Sequence, residues 1–261
     1  MRGTYIGEGK MLIHTAFNGK LIVPANDLGI GPDLIIHGAY DIGLTKYFMS
    51  TVRPGDVVVD IGANVGLFSI LAGYLVGDSG KVYCFEANKS IFQFLQDNIS
   101  MNWLRKTVHP FNKAIYSSQD ILTFTIDAGN HTLSTLYEVD QWNKNGYHDS
   151  LIQVQVESEP LDNYFNQIDH IRLLKMDIEG AEYDAFLGME KFLTHGKIEN
   201  ISFEWNIPML KERTEPLLEL LKFYSNQGYT LFLMNGEGNL TPITIENLGK
   251  TPHVPNIVMK K

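Results

Sequence analysis

From residue 56 onward the chain alternates short apolar runs with stretches of helical spacing. The runs cover residues 57–61, 81–86, 108–115, 171–178, 198–205 and 230–234, and the helical stretches 66–76, 90–103, 180–193 and 215–227 lie between them. Runs rich in Val, Ile and Leu that alternate with helices predict βαβ units around a buried parallel sheet. Residues 121–126 read as a further strand, and the last apolar piece, 256–259, is expected to pair at the sheet edge. Upstream, residues 10–24 read as two strands joined by Asn18-Gly19, a pair that accepts the positive φ of a tight hairpin. Residues 38–51 read as a helix stopped by Arg53-Pro54-Gly55. The polar and aromatic stretch 127–150 is expected to form a loop over a site. No repeat or linker divides the chain. The pattern therefore predicts one α/β domain over 56–261, with a hairpin-and-helix extension over 1–55 packed on it.

Composition narrows the function classes. With 261 residues, 44% of them hydrophobic, the chain can bury a core without disulfides. The single cysteine, Cys84, cannot form an internal disulfide, and the first ten residues lack the apolar core of a secretory signal, so a cytoplasmic location is the expectation. The longest uncharged run, 61–77, is short and glycine-rich for a bilayer span, and no membrane association is expected. Lys and Arg total 21 against 30 for Asp and Glu, a net charge of −9. No basic stripe stands out, so no nucleic-acid partner is expected. The eight histidines are scattered without ligand spacing, which argues against a zinc site.

The segment Asp60-Ile61-Gly62-Ala63-Asn64-Val65-Gly66 closes the first run of the series and leads into a helix. Glycines at a strand–helix turn let backbone approach a ligand, and they also suit plain tight packing. The spacing is Asp-x-Gly-x-x-x-Gly, not the Gly-x-Gly-x-x-Gly of dinucleotide sites. A carboxylate beside the turn would repel a diphosphate and attract an ammonium group, so a cationic ligand is expected there. Glu86, at the end of the next run, is placed to accept both hydroxyls of a ribose. Ligands of open α/β sheets bind beyond the carboxyl ends of the strands, where Asp60, Glu86 and Asp177 are all expected.

These segments, together with Phe85-Glu86, Asn98 and Asn102, Asn112-Lys113-Ala114 and Leu174-Lys175-Met176-Asp177-Ile178-Glu179-Gly180-Ala181-Glu182, resemble the FkbM-type S-adenosylmethionine-dependent methyltransferases over about residues 55–229. The resemblance implies the class I methyltransferase fold: a Rossmann-like, seven-stranded, mostly parallel sheet, its last strand antiparallel, with helices on both faces. It also implies methyl transfer from S-adenosylmethionine to a hydroxyl oxygen on a small molecule, sugar, glycan or natural product. Carried over residue by residue, Gly62, Ala63, Asn64 and Gly66 match the loop around the amino-acid part of the cofactor, with Asp60 beside it. Glu86 matches the ribose acid, Ala87 stands where the family commonly has proline, and Asn112 and Ala114 match a segment near the adenine. Asp41 stands where the family often has glutamate and is given no role.

A hydroxyl acceptor must lose a proton, which calls for a general base or a metal. The acids Asp177, Glu179, Glu182 and Glu204 are the candidates for this work, with Asp177, Glu179 and Glu204 taken as the catalytic set and Asp177 also touching the cofactor. Glu182 and Glu179 can equally favour a helix N-terminus. A divalent cation held by such acids is conceivable chemistry but not the expectation. His37 and His131 flank the expected pocket as further bases, and Tyr137, Trp142 and Tyr147 as acceptor contacts. The rival classes are a dinucleotide-dependent oxidoreductase and a non-catalytic binding protein on the same fold.

Overall fold

The computed structural model describes residues 2–127, 134–135 and 151–261. The chain opens with β1 (Gly3–Gly7), β2 (Lys10–His14) and β3 (Lys20–Pro24), a three-stranded antiparallel sheet, followed by α1 (Gly31–His37) and α2 (Ile42–Thr51). The βαβ series follows as β4 (Val57–Ile61), α3 (Leu67–Val76), β5 (Lys81–Phe85), α4 (Lys89–Met101) and β6 (Val108–Phe111). A four-stranded side sheet is built from β7 (Ala114–Ile115), β8 (Asp120–Asp127), β9 (Ser134–Thr135) and β10 (Leu151–Glu159). The chain returns through β11 (Leu173–Met176), α5 (Glu182–Leu187), α6 (Glu190–Thr194), β12 (Asn200–Asn206), α7 (Ile207–Leu210) and α8 (Thr214–Asn226). It closes with β13 (Thr230–Met234), β14 (Leu240–Pro242), α9 (Ile245–Gly249) and β15 (His253–Lys260).

The main sheet has the order β14-β13-β15-β12-β11-β4-β5-β6. Strands β6, β5, β4, β11 and β12 are mutually parallel, as the apolar runs predict. The last strand, β15, is antiparallel to both β12 and β13. It is inserted between them, a correction to the edge position expected for residues 256–259. The edge is taken by β14, which adds an eighth strand to the expected seven.

Other elements differ for local reasons. Helix 38–51 starts only at Ile42, because Asp41 adopts φ 45° and its Oδ1 accepts the Leu44 N–H at 2.9 Å, a side-chain N-cap. Run 108–115 divides into β6 and β7, the latter pairing with β10 in the side sheet. Stretch 180–193 divides at Gly188, where any Cβ would lie 2.1 Å from the Tyr116 carbonyl oxygen. In the β2–β3 connection only Asn18 takes positive φ; Gly19 instead donates to Thr15 Oγ1 at 2.8 Å.

Alternation along the strands sorts two cores onto the two faces of the sheet. Val59 and Ile61 of β4, with Leu174 and Met176 of β11, face one cluster. Val58 and Leu173 face the other, which also contains Ile13, Leu21, Val23, Phe48, Phe68 and Ile70. The N-terminal sheet and α2 thus share a core with α3. Two buried asparagines bind the N-terminal sheet to α4. Asn98 Nδ2 donates to Ile22 O at 2.9 Å and Val65 O at 2.8 Å while its Oδ1 accepts from Ile22 N at 2.6 Å. Asn102 does the same for Lys20, donating to its carbonyl at 2.7 Å and accepting its N–H at 2.9 Å. The pair supplies β3 with the hydrogen bonds a neighbouring strand would give.

Replacing Asn98 by Ala removes the partner of the buried Val65 carbonyl and of the half-buried Ile22 N–H and carbonyl, at up to about 1–3 kcal/mol each. We expect Asn98→Ala to lower stability by roughly 3 kcal/mol or more and the melting temperature by about 6 °C or more. Thermal melting checks this, and a change within about 1 °C would overturn the bracing role.

Candidate functional site

At the carboxyl ends of β4, β5, β11 and β12 lies a cleft of about 410 Å³, within the range of small-molecule sites. Of the residues singled out in the sequence, Gly62, Ala63, Asn64, Glu86, Ala87, Ala114, Asp177, Glu179 and Glu204 line it.

Asp60 does not line it. Period-two alternation puts its side chain on the face of Val58, toward α3, where it is fully buried. There Oδ2 accepts from Ser69 Oγ at 2.6 Å, and Oδ1 lies 3.4 Å from Lys175 Nζ. Its charge is met inside the protein, so the expected ammonium contact at Asp60 is corrected. Gly66 is set back from the cleft as the N-cap of α3, at φ 94°, with Leu95 occupying the space a Cβ would need. Asn112 stands behind the wall: its Nδ2 donates to the carbonyls of Glu86 at 2.8 Å and Ala87 at 3.0 Å and holds that turn. His37 is exposed and lines no part of the cleft. His131, Tyr137, Trp142 and Tyr147 lie outside the described residues, as does most of 127–150.

The loop's own donors are already used. Gly62 N and Ala63 N both donate to Phe85 O, Gly66 N to Ala63 O, Asn64 N to Glu86 Oε2 at 2.8 Å and Val65 N to Asn64 Oδ1 at 2.7 Å. A phosphate cradle needs free N–H groups pointing at the ligand. This turn offers none of the five. Gly62, at φ 73°, is required by close approach: a Cβ there would meet Asp177 O at 2.0 Å.

Glu86 is held rigidly at the cleft's centre. Its second oxygen accepts from Asn88 N at 2.8 Å, and each carboxylate oxygen keeps a further lone pair. Burial pushes its pKa up to about 7 against the pull of the two backbone N–H groups. Beyond it, Ala87, Ala114, Phe85, Ile115 and Phe124 form an apolar slot. Phe85 is backed by Phe111, stacked at 5.0 Å, and by Tyr164 edge-on at 5.6 Å.

The opposite end is acidic. Asp177, Glu179 and Glu204 each bring a carboxylate oxygen within 4.8 Å of the others, spacing that would also admit a divalent cation. Glu179 takes φ 53° and Gly180 φ 103°, a strained double turn in which a Cβ on Gly180 would meet Met209 O at 2.6 Å. Burial, then Asp177 and Glu204, pushes Glu179 up to about 9. Burial, then Asp177, also raises Glu204. Glu182 is buried behind this turn, outside the cleft wall, where it accepts from Ile178 N at 3.4 Å and is pushed up to about 8 by burial. It braces the turn instead of facing a ligand.

Sequence reasoning missed Lys175, Tyr40, Asn256 and His253 and gave Asp41 no role, yet all five line the cleft. Lys175, a charge between Leu174 and Met176 in an apolar run, carried a local signal. Tyr40 and Asp41 arrive from the α1–α2 connection, and Asp41 Oδ2 accepts from Asn256 Nδ2 of β15. His253 and Asn256 reach the cleft only because β15 lies beside β12, a long-range pairing with no local signature.

The strand order, a parallel set flanked by an inserted antiparallel last strand, and a cleft at the carboxyl ends define a class I methyltransferase fold. The Methyltransferase FkbM domain matches residues 60–231. The chain belongs to the FkbM methyltransferase family and is an S-adenosylmethionine-dependent methyltransferase by that membership. It is 27% identical to the methyltransferase sdnD of Sordaria araneosa over 199 residues, which is 66% of this chain and 75% of that protein. Among solved structures it is similar to an rRNA methylase from Streptococcus thermophilus, at 14% identity and TM-score 0.47, covering 84% of this chain and 93% of that one. A similar likeness, 16% identity and TM-score 0.46, links it to TYW2 of Methanocaldococcus jannaschii in complex with AdoMet, over 98% and 87% of the two chains. These likenesses are general ones; the strand order itself defines the fold.

Three carboxyls titrate late in the folded protein, at about 7, 8 and 9 for Glu86, Glu182 and Glu179, against 4.5 as their ordinary value. Between those values the folded chain holds more protons than the unfolded one, so stability falls as pH rises. We expect the ligand-free protein's melting temperature to decline from about pH 5 to pH 9, and Glu182→Gln to flatten that decline. A melting temperature that climbs across this window in thermal scans would contradict the burial of these acids.

Proposed function

We propose that the protein transfers the methyl group of S-adenosylmethionine to a hydroxyl oxygen of a small-molecule, sugar, glycan or natural-product acceptor. The observation that carries the cofactor assignment is Glu86, fixed by two backbone N–H groups and with lone pairs to spare, beside a loop without free donors. Two hydroxyls on a ribose fit such a carboxylate, whereas a diphosphate finds no anion site at the turn. This argues against the dinucleotide-dependent alternative.

In this reading Gly62, Ala63 and Asn64 shape the end that takes the amino-acid part, and Ala87 and Ala114 belong to the apolar slot for the adenine. Gly66 and Asn112 hold those segments from behind. When bound, the cofactor supplies an electrophilic methyl on a sulfonium. Asp177, Glu179 and Glu204 surround the acceptor side, where Asp177 carries a half-exposed carboxylate toward positive charge. Their work is positioning and proton handling, since in-line placement of an acceptor is worth on the order of 7–11 kcal/mol in favourable cases.

Two observations favour a hydroxyl compound over a nucleic acid. The net charge is −9, and the acceptor end carries Asp41, Asp177, Glu179 and Glu204 together, which opposes a phosphate backbone. The extension over 1–55 supplies Ile30, Tyr40, Asp41 and Leu44 to the same wall, and we assign it a share in acceptor recognition. The methyltransferase proper then spans 56–261. Among the described residues no helix is long and apolar enough to cross a membrane. The single cysteine, Cys84, is buried and free, which suits the cytoplasmic site of action we propose.

Thermal melts with single ligands test the reading. A ligand at a hundredfold excess over its Kd stabilises by about 2.7 kcal/mol, a rise of several degrees for a domain of this size. S-adenosylmethionine and S-adenosylhomocysteine should each give that rise, and NAD and NADP none. Hydrogen bonds to a charged group are worth about 1.5–3 kcal/mol each, so Glu86→Ala should weaken binding at least tenfold in calorimetric titration. A shift with NAD alone, or an unchanged Kd in Glu86→Ala, would remove the assignment.

A further inference from the structure

Burial and the neighbouring carboxylates raise Glu179 toward its neutral form, while at Glu204 the contact with His253 works against the same rise. Among the described residues, the groups around them include one histidine. His253 is the first residue of β15 and lines the cleft, and its Nε2 lies 2.8 Å from Glu204 Oε1. Nδ1 has no hydrogen-bond partner among the described residues. Glu204 is itself steadied by Asn206 Nδ2, which donates to the same oxygen at 3.1 Å.

The backbone is built to make this contact. The β12–β15 register runs Phe203 to Ile257 and then Trp205 to Val254, so two residues of β15, Pro255 and Asn256, oppose Glu204 alone. Such a bulge re-aims side chains and is common beside active sites. Here Glu204, Asn256 and His253 all line the cleft. Asn256 turns to Asp41, and His253 turns to Glu204.

We propose that His253 is the general base of the reaction and that Glu204 is its positioning residue. This rests on the reading above that the acceptor is a hydroxyl. Glu204 accepts the Nε2–H, which leaves the Nδ1 lone pair for the acceptor. As the acceptor oxygen attacks, its O–H bond breaks and the proton passes to Nδ1. The new O–C bond forms while the C–S bond breaks, its electron pair staying on sulfur to give the neutral thioether. The imidazolium formed lies beside the Glu204 carboxylate. Among the described residues, the titratable groups lining this end are Asp177 and Glu179 on the β11–α5 turn, Tyr40 and Asp41 on the α1–α2 connection, Glu204 on β12 and, behind Asp177, the Lys175 ammonium on β11. The carboxylates among them favour that cation, while the Lys175 charge is already engaged by Asp60 and Asp177.

Two measurements on the full chain decide the matter. With ¹⁵N-histidine-labelled protein saturated with S-adenosylhomocysteine, the ring shifts should show His253 protonated on Nε2 and bare on Nδ1. Glu204→Leu should lose that preference. The opposite tautomer in the parent would overturn the proposal without touching the cofactor assignment. The second measurement follows methyl transfer from S-adenosylmethionine to methyl α-glucoside and glycerol as hydroxyl probes. His253→Gln should lower kcat at least a hundredfold, remove the acid limb of the pH–rate profile and leave the Kd of S-adenosylhomocysteine within twofold. Glu204→Gln should lower kcat less and shift that limb. Unchanged turnover in His253→Gln would overturn the proposal. So would activity abolished by chelator and restored by Mg²⁺, which would give the acids to a cation. If S-adenosylhomocysteine binds but neither probe is methylated by the parent, the hydroxyl reading fails for those acceptors and the tautomer still decides the dyad.

Discussion

One buried cation ties the two motifs of this protein together. Lys175 sits opposite Asp60 in the β11–β4 register, and both side chains are almost wholly removed from solvent. Its Nζ donates to Gly62 O at 2.7 Å, lies 3.4 Å from Asp60 Oδ1 and 3.8 Å from Asp177 Oδ2, and stands over the Phe68 ring. Burial pulls the ammonium down, but Asp60 and then Asp177 outweigh it and hold the group charged. Breaking such a pair by removing one partner typically costs about 3–5 kcal/mol, whereas an apolar replacement of both can be neutral. Its value here is therefore positional. By holding the Gly62 carbonyl from β11, Lys175 sets the glycine loop against the Asp177 turn, and the cleft opens between them.

That arrangement also decides where charge is felt. The Asp60 carboxylate is absorbed by Lys175 and Ser69, so the loop end of the cleft is nearly neutral, with every N–H of the turn internally bonded. Acidic groups meet the cleft at its centre, through Glu86, and at the far end, where Asp177 carries the exposed carboxylate beside the raised Glu179 and Glu204. A ligand running from apolar slot to acidic end is sorted along its length: flat and apolar first, hydroxylated at Glu86, positively charged last. Glu86, pushed up to about 7 by burial, gains from a partner that donates two hydroxyl hydrogens, because such a partner favours the carboxylate.

The strand series was legible because buried parallel strands must be apolar on both faces, and nothing else in the chain reads that way. The glycine loop and Glu86 were legible for the same reason: they terminate such strands. Asp60 was misplaced because the Asp-x-Gly pattern was read without alternation; Val57-Val58-Val59-Asp60-Ile61 already puts Asp60 on the face of Val58. Asn98 and Asn102 belonged to the recognised pattern, but their work, replacing a strand partner for β3, depends on a sheet far away in sequence. His253 was the least legible. Its place depends on β15 inserting beside β12 and on a bulge at Pro255-Asn256, both products of long-range pairing.

The acidic end resolves what would otherwise be an electrostatic conflict. Three carboxyls within 4.8 Å cannot all be ionised in a half-buried site without large repulsion, and the raised pKa values of Glu179 and Glu204 are the form that conflict takes. In its neutral form Glu179 can donate a hydrogen bond where an anion would only accept one. The wall thus offers donors and acceptors side by side, which suits a hydroxylated acceptor more than an anionic one. The strain at Glu179 has a place in the same logic. A left-handed non-glycine residue persists when its surroundings over-determine it, here through Gly180 packed on Met209 O and through Glu182 beneath Ile178. The cost in backbone energy keeps the Glu179 carboxyl within 4.8 Å of those of Asp177 and Glu204, at the same end of the cleft as His253.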